Sequence, residues 1–69
     1  MSENLQEALV RELARMRDDV IPAYQSIGPA GSFALHMIRI DIKTAEDALA
    51  AGDVLRMMPA LVSLQAVKL

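Results

Sequence analysis

The sequence contains no cysteine and no tryptophan, and His36 is its single histidine. A disulfide needs two thiols and a structural zinc site about four Cys or His ligands, so counting excludes both ways of stabilising a small fold. We therefore expect no metal and no cofactor. The lack of cysteine also fits a reducing cytoplasm, where we expect the protein to reside.

Long apolar runs and an excess of basic residues are also missing. No run approaches the roughly 18 residues of a membrane-spanning helix, and charged residues such as Glu7 and Arg11 interrupt the first apolar segment, which also excludes a secretory signal peptide. Lys and Arg total seven against nine Asp and Glu, a net charge of −2. Because nucleic-acid binders usually carry a basic excess, nucleic acid is not an expected partner.

The residues that are abundant are aliphatic. The 69-residue chain is 54% hydrophobic with only two aromatic side chains, a mixture that favours packed helices. We expect one all-α domain over residues 1–69. A chain of this length buries only about 60% of its unfolded surface. With disulfides and metals excluded, the sequence predicts an intertwined homodimer.

The first predicted helix begins near Leu5 and ends near Ile27. Its apolar residues recur every three or four positions, and Asn4 with Glu7 forms a capping-box pattern, with Ser2 as an alternative cap. Pro22 predicts a kink within this helix. Glu7 with Arg11, and Arg15 with Asp19, are expected to pair on its surface. The stripe comprises Leu5, Leu9, Leu13, Met16, Val20, Tyr24 and Ile27.

The second predicted helix follows a turn at Gly28–Gly31, is capped by Ser32 and ends at Gly52, forming a hairpin with the first. Phe33, Met37 and Ile40 form one apolar stripe on it. A second stripe, with Leu35, Ile38, Ile42 and Leu49, is assigned to the dimer interface, because two stripes imply burial on two sides. Asp53 is expected to cap a short C-terminal helix, bent at Pro59, that lies over the hairpin.

An alternative interpretation concerns Ile38–Lys43. From Ile38 these residues alternate apolar and polar side chains, which is typical of a strand, and Thr44 with Asp47 could cap a following helix. This is the pattern of a ribbon-helix-helix DNA-binding regulator. We favour a helix, because the spacing from Leu35 to Leu49 continues through the segment without a change of phase.

The sequence offers no catalytic constellation, so we expect a binding protein and not an enzyme. His36 has no cysteine or nearby serine to activate, and adjacent carboxylates on a helix diverge by about 100°. Near the predicted kink, Arg17, Val20 and Tyr24 combine residue types that are common in protein-binding hot spots. These three residues are the predicted partner-binding site.

Two segments carry a resemblance to a known family: Ile21–Phe33, with the sequence IPAYQSIGPAGSF, and Ala45–Asp53, with the sequence AEDALAAGD. The chain resembles small early-region proteins of Mu-like transposable bacteriophages, and within that group the quorum-sensing anti-activators. The resemblance implies a helical homodimer that binds a LuxR-type transcription activator and keeps it off DNA. It also implies a second host target such as a type IV pilus assembly ATPase.

Overall fold

A computed structural model describes residues 3–68 and contains only helices and turns in that range. The all-α class is therefore confirmed. The elements are α1 (Leu5–Arg15), a π-helical turn (Met16–Val20), α2 (Ile21–Ser26), a 3-10 turn (Gly28–Gly31), α3 (Ser32–Ala51) and α4 (Val54–Gln65).

Helix α1 begins at a complete capping box. The Asn4 side chain accepts from the Glu7 main-chain N–H at 2.7 Å, and the Glu7 carboxylate accepts from the Asn4 N–H at 3.3 Å. Two main-chain donors that have no partner inside the helix are thus satisfied. Asn4 is the cap as predicted, and the alternative cap Ser2 lies outside the described residues.

The distortion expected at Pro22 is a widened turn directly before the proline. The Ile21 N–H donates to the Met16 carbonyl, five residues earlier and not four, which defines a π turn. In a regular α-helix the Pro22 ring would press against the Asp18 carbonyl. The extra residue in the turn changes this spacing, and the helical path continues into α2 without a break.

The connection between α2 and α3 is tighter than its glycines alone suggest. Gly28 has a φ of +67°, as predicted for the residue that ends a helix in the left-handed conformation. Gly31 is buried, and the main chain of α2 approaches it so closely that a Cβ atom at this position would clash with the Tyr24 carbonyl oxygen. The prediction that Ser32 caps α3 is wrong. Gly31 occupies the cap position, without a side-chain hydrogen bond, and Ser32 is the first helical residue.

Helix α3 runs without interruption for 20 residues and includes Ile38–Lys43. The strand required by the ribbon-helix-helix interpretation is therefore absent, and the helical prediction is confirmed. The period-two pattern was misleading because Ile38, Ile40 and Ile42 do not share a face. Ile38 and Ile42 point toward the core, whereas Ile40 points to solvent.

Helix α4 begins as predicted. Gly52 ends α3 with a φ of +64°, and the Asp53 side chain accepts from the Arg56 N–H. The helix extends over 12 residues and continues through Pro59. It contacts both α1 and α3, so it covers the first two helices as expected.

A single core forms where these three helices meet. Five of its residues come from the π turn and α3, including Val20 and Ile38, and the remaining four come from α1 and α4. The predicted dimer-interface residues lie on this side of α3: Leu35 and Ile38 are buried, and Ile42 and Leu49 pack against the core within one chain. The buried cluster contains Leu9, Met16, Val20, Ile38, Ala45, Ala48, Met57, Ala60 and Leu64.

Candidate interaction surfaces

One side of α3 presents a row of apolar side chains to solvent. We call Phe33, Met37 and Ile40 the α3 outer face; all three are exposed, Phe33 by 76%. At about 100° per residue they lie within roughly 60° of one another and about 130–170° from the core-facing Leu35, Ile38 and Ile42 on the same turns. The α3 outer face therefore points away from the core.

Charged side chains flank the α3 outer face unevenly. His36, Arg39 and Lys43 are exposed and follow one edge at spacings of three and four residues. Asp41 lies on the other edge and is half-buried. Lys43 also reaches Asp47 at 3.5 Å, one turn later. Basic residues thus lie along one side of the apolar row, beside Met37 and Ile40.

Helix α4 carries a second exposed apolar row. We call Val54, Leu55, Met58 and Val62 the α4 outer face; all four are exposed, and Leu55 most of all, by 86%. The neighbouring Met57 is buried, because adjacent helical residues point about 100° apart and the two methionines face opposite sides. Arg56 is the one charged residue between Val54 and Gln65, and its position on the helix faces away from the row.

The predicted partner-binding residues are not brought together on one surface. Val20 is fully buried in the core, so its side chain cannot reach a partner in this conformation. Tyr24 is half-buried, and its hydroxyl donates to the Lys68 carbonyl at 3.2 Å. Arg17 is fully accessible. Of the three residues, Arg17 alone presents its functional group to solvent, and its role stays a prediction.

Arg17 engages its neighbour Asp18. Its guanidinium donates to both carboxylate oxygens, from Nε at 2.8 Å and from Nη2 at 3.1 Å. Mainly through this hydrogen bond, Arg17 lowers the pKa of Asp18, and Asp18 raises the pKa of Arg17 in turn. The pair is exposed, so it orients the Arg17 side chain but contributes little to folding.

Arg15, two residues before Arg17, has a structural role. Arg15 donates to the buried carboxylate of Glu12 at 3.3 Å and to the carbonyl oxygens of Leu64 and Val67 at 3.0 and 2.9 Å. Arg11 supplies the second partner of Glu12 at 3.0 Å. The predicted pairs of Arg11 with Glu7 and of Arg15 with Asp19 are therefore wrong. A buried carboxylate is costly without a partner, so both arginines pair with Glu12.

The described residues offer little for catalysis or metal binding. Within residues 3–68, no group of three or more His, Asp or Glu side chains is placed to hold a metal ion. Two shallow hollows on α1 are open to solvent and lined mainly by charged and polar side chains. No helix in this part of the chain is both long enough and apolar enough to cross a membrane.

The sequence contained a signal for the α3 outer face that was assigned to the wrong role. Phe33, Met37 and Ile40 stood out as a separate stripe, but the interface was assigned to the larger stripe that includes Leu35 and Ile38. The larger stripe packs into the core, because the free energy gained on folding increases with the apolar area that is buried. The smaller stripe is left exposed to solvent.

The fold and these surfaces define a small helical protein with two apolar outer faces. No family model, no curated protein and no solved structure matches the chain. The exposed outer faces of α3 and α4 are therefore the structural features from which a function can be proposed.

Proposed function

We propose that the protein is a helical interaction protein that inhibits a host protein by binding it, with a LuxR-type quorum-sensing transcription activator as its target. The observation that carries this proposal is the α3 outer face. Phe33, Met37 and Ile40 stay in solvent on a chain whose core is closed by other residues. Apolar rows with a polar rim are typical of protein-binding sites.

The accessible surface of the chain is larger than its mass predicts. The chain exposes 4613 Å². Folded monomers of this mass expose about 4250 Å². The excess agrees with large apolar side chains such as Phe33 and Leu55 standing in solvent, where a partner can cover them.

The composition of the α3 outer face suits a protein partner. Aromatic residues, methionine and arginine are enriched at the centres of interfaces, and Phe33, Met37 and Arg39 supply all three types side by side. A highly exposed Phe33 can enter a pocket on the target, where burial of one large apolar side chain contributes about 1.5–3 kcal/mol. Arg39 and Lys43 favour acidic groups beside that pocket.

Inhibition then follows from occupancy, without any catalytic group. An activator whose surface is covered by α3 is kept off its promoter, and the net charge of −2 disfavours binding of the inhibitor itself to DNA. The proposal includes the homodimer and, as a second target, a type IV pilus assembly ATPase. The homodimer comes from the resemblance and from the high apolar content of the chain, and the second target comes from the resemblance alone.

Gel-shift titration of a purified LuxR-type activator on its promoter DNA tests the proposal. The wild-type protein should release the DNA, and Phe33→Ser should raise the concentration needed at least tenfold. Val10→Ser, a matched loss of an exposed apolar side chain on α1, should act like wild type. Release that is equally efficient with Phe33→Ser would exclude the α3 outer face. A shift of DNA by the chain alone would favour a DNA-binding regulator.

A further inference from the structure

The geometry points to the α4 outer face as the surface through which the chain pairs with a second copy of itself. This inference rests on the homodimer included in the proposed function and assigns it a place. The face consists of Val54, Leu55, Met58 and Val62, all exposed.

Charge distinguishes the two outer faces. In a symmetric pair the same patch of both subunits meets itself, so any charge within it meets a like charge or must be offset. Leu55, Met58 and Val62 follow the three-four spacing of a helix-pairing seam, and the positions beside them are uncharged: Val54, Pro59, Leu61 and Ala66. A second copy therefore meets no repulsion there in either orientation.

The α3 outer face is less suited to pairing with itself. Arg39 and Lys43 lie along one edge. In an antiparallel two-fold pair of α3 helices this edge would face its own copy, and the like charges would oppose association. The same edge favours a different partner with acidic groups. The two faces can thus act at once, one for the second copy and one for the target.

Pairing through α4 also leaves the core intact. Leu35 and Ile38, which were predicted to form the interface, are buried within one chain, and a partner could reach them only by displacing another helix. Leu55 and Val62 need no such rearrangement. The second copy can dock on the folded monomer.

The size of the face sets the expected strength of the dimer. Helix α4 has 12 residues and is about 18 Å long. An apolar patch of this kind covers a few hundred Å². Stable interfaces bury about 800 Å² per partner. We therefore expect a reversible dimer that dissociates on dilution through the micromolar range.

Sedimentation equilibrium over a range of concentrations provides the test. The wild-type mass should rise from 7.5 kDa toward twice that value. Leu55→Glu should weaken association at least tenfold while its circular dichroism spectrum and melting behaviour stay those of a wild-type monomer. The matched variant Phe33→Glu, which adds the same charge to the α3 outer face, should dimerise as wild type does. Dimerisation of Leu55→Glu with unchanged affinity, or a wild-type monomer at all concentrations, would overturn the inference.

A covalent readout avoids any dependence on stability. The chain lacks cysteine, so Met58→Cys and Met37→Cys each introduce a single thiol at an exposed position of one outer face. Oxidation should cross-link Met58→Cys much faster than Met37→Cys, and the reverse order would contradict α4 pairing. Gel-shift activity of Leu55→Glu is measured separately. The gel-shift activity of Leu55→Glu reports on target binding, whereas sedimentation and cross-linking report on the dimer. Failure of the dimer and failure of the proposed function are therefore distinguishable.

Discussion

The guanidinium of Arg15 on α1 donates to the carbonyl oxygen of Leu64 on α4 at 3.0 Å, across 49 residues of sequence. The same Nη2 group donates to the Val67 carbonyl and to the Glu12 carboxylate, so one side chain joins a buried charge to the end of the last helix. The final carbonyl groups of a helix lack partners within it, and a cation there also interacts favourably with the helix dipole. Arg15 thus holds α4 against α1.

Replacing Arg15 should destabilise the protein substantially. Arg15→Ala leaves Glu12, which is 4% exposed, with Arg11 as its remaining cation and removes donors from two carbonyl groups. Loss of one partner of a buried ion pair costs several kcal/mol, so we expect the free energy of unfolding to fall by about 2–4 kcal/mol. Urea denaturation at fixed protein concentration measures the change.

The chain contains a natural control on the next turn. Arg17→Ala removes an exposed arginine and should change stability by less than about 0.5 kcal/mol. Arg15→Lys keeps the charge but loses the planar fork, and its stability should lie between those of wild type and Arg15→Ala. Equal stabilities for Arg15→Ala and Arg17→Ala would show that the contacts of Arg15 do not stabilise the fold.

The approach of α2 to the start of α3 predicts a second sensitive position. Gly31→Ala places a Cβ atom against the main-chain oxygen of Tyr24, with the Ile27 side chain also within 3.0 Å. Because backbone must move, we expect a loss of about 1–3 kcal/mol. Gly28→Ala meets no atom within 4 Å but holds a φ of +67°, so it should cost about 1 kcal/mol from the left-handed conformation alone. Thermal melting compares the two variants, and a neutral Gly31→Ala would contradict the close contact.

The Arg17–Asp18 pair predicts a measurable pKa. Arg17 lowers the pKa of Asp18 in the fold, so the pair adds stability above the unfolded value of about 3.9 and loses it as pH falls through the lowered native pKa. In Arg17→Ala the pKa of Asp18 should rise toward its ordinary value. Carboxyl carbon shifts of Asp18 followed by NMR titration, compared between Arg17→Ala and wild type, report the pKa directly. An unchanged Asp18 would mean that the pair does not persist in solution.

Local signals in the sequence predicted the boundaries of the helices well. The Asn4–Glu7 capping box, the left-handed glycines Gly28 and Gly52, and the cap at Asp53 involve interactions within a few residues, and all are present. Such interactions depend little on the rest of the fold, so a sequence pattern is sufficient to predict them. The helical state of Ile38–Lys43 followed from the same three-four periodicity.

Long-range interactions could not be predicted in this way. Nothing near Arg15 in the sequence indicates Leu64 or Val67, and nothing near Tyr24 indicates Lys68, because these contacts depend on how α4 packs on α1. Val20 was placed in a binding site because its neighbours Arg17 and Tyr24 suggested one. Its burial follows from its place in the apolar stripe of the first helix, four residues after the buried Met16.

Ile38 and Ile40 lie on opposite sides of α3, one in the core and one on the outer face. Ile38 is 4% exposed and Ile40 is 48% exposed, although both are apolar and lie two residues apart on one helix. Ile38→Asp would bury an unpaired charge, which costs more than a chain of this size can lose, since its whole stability is about 3–10 kcal/mol. We expect this variant to be unfolded, with its helical circular dichroism signal lost.

Ile40→Asp should fold and fail in binding instead. Its carboxylate stays in water, so stability should fall by less than about 1 kcal/mol. The charge then lies within the apolar row proposed to meet the target, where desolvation of a carboxylate opposes contact with an apolar surface. Circular dichroism and the gel-shift titration should therefore separate the two variants: one without structure, the other helical but unable to release DNA from the activator. A helical Ile38→Asp would contradict the core assignment, and a fully active Ile40→Asp would remove Ile40 from the contact surface.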